Sequence, residues 1–141
     1  MCILQGISFH CKYTKANLFP YFSNVYTRTD QIERNTAISR KYIDAKAAPV
    51  IAYWIVEMDF KLKIKSPRVT RFGDYRPPHG NQNHQITVNQ NLNPYAFLIT
   101  LVHEIAHLKA HTEFGFRILP HGTEWKSSFK NLMGQIMSLD V

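Results

Sequence analysis

Two histidines and a glutamate, in the run His103-Glu104-Ile105-Ala106-His107, interrupt a stretch that is otherwise almost entirely apolar; Tyr95 to Leu108 reads YAFLITLVHEIAHL. A carboxylate and two imidazoles are costly to bury unless something pairs with them. A divalent metal ion supplies that pairing. On a helix, residues i and i+4 are neighbours on one face, about 6 Å apart, so His103 and His107 can share one ion. Glu104 is turned about 100° away, where it reaches a water beside the metal rather than the metal itself. The chemistry of this pattern is metal-assisted hydrolysis, with Glu104 as general base.

A catalytic zinc site takes three protein ligands and keeps one position open, so a third ligand is needed. His111, Glu113, His121 and Glu124 follow the pentad. His111 lies about 12 Å from His103 along a continuous helix, and three ligands in one helical row cannot surround a tetrahedral ion. It reads instead as a neighbouring polar group or a helix-end cation. Glu113 falls at the third-ligand place of HExxHxxGxxH, but that place calls for His, and Ala110 stands where the pattern has glycine. Glu124 is close in sequence to His107 and has no supporting motif around it. His121 lies on a loop after the chain has turned, so it can swing back over the pentad, and it is the choice here. Tyr95 and His111 are the candidates for stabilising an oxyanion.

Several elements must position these groups. Asn93 followed by Pro94 is a helix-start signal, and the helix it opens runs through the pentad to about His111, with Leu98, Leu101, Val102, Ile105 and Leu108 on the side away from the histidines. Thr123 is read as the cap of a last amphipathic helix that turns Trp125, Phe129, Leu132, Met133 and Ile136 inward. Upstream, Phe60 to Lys65 alternates strictly between apolar and lysine, a strand with one buried face. Val69–Tyr75 and Gln85–Gln90 read as two further strands, and RPPHGNQNH between them is turn chemistry. The last of the three strands is a candidate for pairing with an extended substrate. His79 and His84 read as surface histidines. Before the strands, Asp30 with Glu33 suggests a capping box opening a helix through Ile32, Ile38, Tyr42 and Ile43. Pro49 marks the first turn of another, with Tyr53 and Trp54 as core anchors. Residues 1–28 are aromatic-rich without a clear period.

The chain of 141 residues, 45% hydrophobic and 13% aromatic, fits one folded domain with a proper core. No apolar run reaches the roughly 18 residues of a membrane span. MCILQGISFHCK lacks the basic and then apolar order of a signal peptide. Cys2 and Cys11, the only cysteines, make neither a disulfide framework nor a four-cysteine zinc ribbon, so a reducing, cytoplasmic setting is expected. Seventeen Lys+Arg against ten Asp+Glu give a formal charge of +7, which favours polyanionic partners without separating DNA from RNA. Lys61, Lys63, Lys65, Arg68, Arg71 and Arg76 concentrate on the small sheet. They read first as a solvated face and second as a DNA-binding patch that would bring the protein to the nucleoid.

With Pro120-His121-Gly122-Thr123-Glu124-Trp125-Lys126 after the pentad, the chain resembles the SprT-like family of zinc metalloproteases, which includes the Spartan proteases acting on DNA–protein crosslinks. That family pairs HExxH with a downstream HGxE followed by Phe or Trp. Gly73, Ile86-Thr87-Val88-Asn89 and Leu92 are similar to the strand and linker that precede the family's helix. The resemblance covers roughly residues 46–139. It implies zinc (Zn2+) as cofactor, His103, His107 and His121 as its ligands, and Glu104 as catalytic base. Glu124 matches the family's glutamate, read as support for the ligands or for the helix start. Many bacterial members end in a cysteine-rich zinc ribbon; no cysteine follows Cys11 here, so nucleic-acid binding by a ribbon is not carried over.

The expected fold is therefore α+β: a small zincin-like domain with a three-stranded, mostly antiparallel sheet packed on helices, the active-site helix carrying HExxH. Residues 1–40 read as an N-terminal extension of uncertain order and 41–141 as the SprT-like domain. The expected function is zinc-dependent cleavage of a protein or peptide, with DNA-associated or crosslinked proteins among the targets. Two other classes compete: a non-proteolytic zinc-containing DNA-binding module, against which the intact Glu104 argues, and a different zinc hydrolase such as a nuclease or amidase.

Overall fold

The computed structural model describes residues 19–141, with side chains from residue 27 onward. Residues 1–18 of the N-terminal extension, with Cys2 and Cys11, lie outside the described residues. The element order is α1 Phe19–Ser39, α2 Ala47–Glu57, β1 Phe60–Lys65, β2 Gly73–Arg76, β3 His84–Asn89, α3 Pro94–Phe114 and α4 Thr123–Met137. No helix among the described residues is long and apolar enough to cross a membrane.

Helix α3 is the centre of the molecule. Asn93 caps it by accepting a hydrogen bond from the Ala96 backbone N–H at 2.9 Å, with Pro94 in the first turn. It continues about two turns past the pentad and stops where Gly115 takes φ +79°, a conformation that favours glycine. Both the sheet, through β2 and β3, and α4 pack on α3. Leu101, Val102, Ile105 and Leu108 are buried against Ile86 and Val88 of β3, Ile51 and Trp54 of α2, and Leu132 and Ile136 of α4. Each such side chain contributes roughly 1.5–3 kcal/mol on leaving water. Helix α1 lies against α2, and Arg28 pairs with Glu57 across them. It begins well before the cap read at Asp30 and ends before Tyr42 and Ile43, which lie in and after the turn that follows. Trp54 is buried as expected, but Tyr53 is half exposed.

The sheet corrects the expected topology. Its order is β1-β3-β2, with β1 parallel to β3 and β2 antiparallel to it, so it is mixed rather than mostly antiparallel. The reason lies in burial. Ile86, Thr87, Val88 and Asn89 are all buried, so β3 takes the centre, while lysine-bearing β1 is kept to an edge, where charge is tolerated and guards against stray pairing. Strand β2 is shorter than Val69–Tyr75 because residues 66–72 form a loop stapled by Asn89. Its side-chain amide donates to the carbonyls of Arg68 and Arg71 at 3.2 and 3.0 Å and its Oδ1 accepts from Arg68 Nε at 3.0 Å.

Candidate metal centre

His103 and His107 lie one turn apart on α3, and His121 returns from the α3–α4 connection to meet them. The three Nε2 atoms are 3.3, 3.1 and 3.0 Å apart. Each imidazole nitrogen has a single outward direction, either a lone pair or an N–H, so three that converge cannot all satisfy one another by hydrogen bonds. One cation at the centre satisfies all three. A tetrahedron with metal–nitrogen bonds of 2.0–2.1 Å has edges of about 3.3 Å, close to the observed separations. The residues present therefore fit a metal ion held by three imidazoles, and no other set of three His, Cys, Asp or Glu side chains among the described residues does so.

The third histidine reaches the centre through an unusual backbone. His121 has φ +58°, a left-handed conformation that costs a non-glycine residue on the order of 1–3 kcal/mol. Gly122 follows because the turn is tight: a Cβ there would lie 3.0 Å from the Leu119 carbonyl oxygen and 3.3 Å from Glu124 Oε2. Gly122, not Thr123, is the cap residue of α4. Trp125, one turn into α4, backs the whole centre. Its ring centroid is 4.7, 5.4 and 4.6 Å from those of His103, His107 and His121, and it stacks on Phe129 at 5.0 Å.

Glu104 points from the same helix toward β2. Its carboxyl is pushed up to about 7, first by burial and then by Asp74, against smaller opposing effects of the Tyr75 backbone N–H, Arg68 and Arg71. His107 is lowered to about 4 by burial and by the neighbouring His103 and His121, and His103 is lowered by burial and His121. Both imidazoles are thus neutral at neutral pH, the form that binds a metal. Gly73 admits the carboxylate: a Cβ there would lie 2.8 Å from Glu104 Oε1 and 2.7 Å from Thr100 Cγ2. The closeness of the glycine to Glu104 is not readable from spacing, because it depends on how β2 sits across α3.

The remaining candidates separate clearly. Glu113 pairs with Lys109 on the exposed face of α3, and Glu124 lies in the first turn of α4, where a negative charge suits the helix dipole. Neither joins the triad. Tyr95 lines a separate cleft of about 240 Å³ with Ile43, Pro94 and Leu98. His111 lies one turn beyond His107, its ring 6.0 Å from Tyr75 and 4.2 Å from Phe116. His84 is not a surface histidine: it opens β3, half-buried, with its Nδ1 2.9 Å from the Tyr75 hydroxyl. Strand β3, being central, has no free edge for a substrate; the edge beside Glu104 belongs to β2. Of the basic set, Arg71 and Arg76 both pair with Asp74 at 2.8 and 2.9 Å and Arg68 is held by Asn89. Lys61, Lys63 and Lys65 make no ion pair among the described residues.

Comparison with known proteins gives partial matches. The model of the IrrE N-terminal-like domain family, Peptidase M78, matches residues 52–120, just under half of the chain; the match takes in the pentad and ends directly before His121. The protein SprT of Pseudomonas paraeruginosa (strain DSM 24068 / PA7) is 51% identical over 35 residues, 25% of this chain and 21% of that protein. The protein SprT of Pseudomonas fluorescens (strain SBW25) is 63% identical over 27 residues, 19% of this chain and 16% of that protein. The matched stretches thus span about a fifth or less of these relatives' length. No solved structure matches the chain significantly. These similarities support the resemblance to SprT-like metalloproteases and suggest a metallopeptidase-family function.

Proposed function

We propose that this chain is a zinc-dependent metallopeptidase of the SprT-like, zincin type, in which His103, His107 and His121 hold the metal and Glu104 handles the proton. The observation that carries this reading is the convergence of three imidazole nitrogens beside a buried carboxyl. Zinc bound there would supply Lewis acidity, lowering the pKa of water and polarising a peptide carbonyl. The rest of the work falls to the chain. Glu104, with its carboxyl raised to about 7, is matched to taking a proton from water and giving it to the leaving amine. Burial by Gly73 and β2 keeps bulk water from that carboxyl. Trp125 holds the imidazoles in place, and the outer edge of β2 offers backbone groups to an extended polypeptide.

Metal content by elemental analysis, wild type beside His121→Ala, tests the centre. One zinc per chain, sharply reduced in the variant, is expected; a wild type that takes up no zinc under metal-replete conditions would sink the reading. Glu104→Gln separates an enzyme from a zinc-containing binding module. It should keep the metal and lose hydrolysis by about 10²–10⁴-fold.

A second part of the proposal concerns location and substrate. The formal charge of +7 and the lysines of β1 favour cytoplasmic action near DNA, on DNA-associated or crosslinked proteins. Reversing Lys61, Lys63 and Lys65 together should flatten the dependence of log affinity on log salt by about three contacts. An unchanged slope would remove β1 as a DNA surface.

A further inference from the structure

Among the described residues ten large hydrophobic side chains are exposed. Scattered single exposures are normal for a folded domain, whereas a concentration at one place marks a binding surface. Here four of the ten lie on the segments that carry the triad, Ile99 and Phe114 on α3 and Phe116 and Leu119 in the connection to His121, while Val69 and Phe72 lie in the loop that leads to Gly73, the neighbour of Glu104. At 100° per residue, Ile99 and Phe114 both fall within about 40° of the direction of His103, one on each side of the histidines along the helix axis. Phe116 lies against His111 with ring centroids 4.2 Å apart yet stays 81% exposed. Toward the other end Phe129, stacked on Trp125, has its ring 6.2 Å from that of His103.

We infer that the surface around the histidine triad selects an extended polypeptide segment with bulky apolar side chains on both sides of the bond to be cut, Ile99 and Phe116 being the specificity-determining contacts at its two ends. The inference rests on the peptidase reading and adds the substrate class to it. The occupant follows from what surrounds the apolar groups. They flank the candidate catalytic groups and the open edge of β2, whose backbone suits an extended chain, and extended chains expose large apolar residues when a protein is unfolded or locally unwound. The site thus suits non-native segments rather than folded, polar surfaces.

The experiment uses the full chain loaded with zinc and two quenched fluorogenic peptides of equal length, one with Leu and Phe around the central bond and one with Ser and Gly. The expected kcat/KM is at least about tenfold higher for the apolar peptide, and Ile99→Ser or Phe116→Ser should lower that ratio by about tenfold. Fluorescence anisotropy of the same two sequences on zinc-loaded Glu104→Gln gives a readout independent of turnover, with the same order of affinities expected. Equal cleavage and equal binding of the two peptides would overturn the inference and leave the peptidase reading standing. Cleavage of neither with zinc bound would remove that reading and the inference with it. A dimer in sedimentation that Phe116→Ser dissolves would also overturn it, since the apolar groups would then serve self-association.

Discussion

At the scale of single residues, Glu104 is held in tension between its neighbours and its burial. Its carboxyl in the folded protein sits near 7 against an ordinary value of 4.5, so the protonated form favours the fold. In metal-free protein that contribution is fully present below about pH 4.5 and is lost as pH rises through about 7. His103 and His107, both lowered, act oppositely: their contribution is present above the ordinary imidazole range and lost as pH falls. Chelator-treated Glu104→Gln should therefore melt above chelator-treated wild type at about pH 8 and close to it at about pH 5. A difference in Tm that is the same at both pH values would contradict this account. Gly73 makes a second residue-level test. Gly73→Ala drives a methyl into Glu104 and Thr100, so a loss of about 1–3 kcal/mol in stability is expected from overpacking, together with displaced Glu104 and reduced hydrolysis. Full activity in Gly73→Ala would show that the carboxylate has room the structure does not display.

At the scale of elements, the site depends on how three segments meet over α3. What could be read in the sequence was local. The strand Phe60–Lys65 is found with the expected bounds because its alternation is strict, and α3 opens at Asn93-Pro94 because capping is a short-range signal. The placing of His121 over the pentad followed from a loop of the right length. Relations between distant segments were less legible. Nothing in the spacing shows that β3 lies between β1 and β2, because pairing order is decided by which strand can be buried on both sides. His84 looked like a loop residue because its partner, Tyr75, comes from another strand. The role of Asn89 was hidden in the same way. It joins β3 to the loop that delivers Gly73 to Glu104, so Asn89→Ala should leave the Arg68 and Arg71 carbonyls unpaired and lower stability by about 1–3 kcal/mol. Thermal unfolding within error of wild type would mean that the staple is dispensable.

At the scale of the whole molecule, the two edges of the sheet face different tasks. The β2 strand adjoins Glu104, and the β1 edge carries Lys61, Lys63 and Lys65 on the far side of β3. A polyanion on the lysine edge and a polypeptide along β2 would thus occupy opposite margins of one three-stranded sheet and need not compete. Excess anionic polymer should weaken binding at the lysine edge without displacing an apolar peptide from Glu104→Gln; displacement with unit stoichiometry would mean that the two surfaces overlap.

The left-handed His121 has a consequence for how the protein behaves over time. Its backbone is held away from its relaxed conformation while its imidazole meets those of α3, so a metal ion held by the three histidines would clasp the α3–α4 connection to α3, with residues 115–122 as the strap it fastens. Removing the ion should let that strap breathe first. Amide hydrogen exchange would then quicken across residues 115–122 on chelation, while the amides of Leu101 to Ile105, buried in the centre of α3, keep their protection.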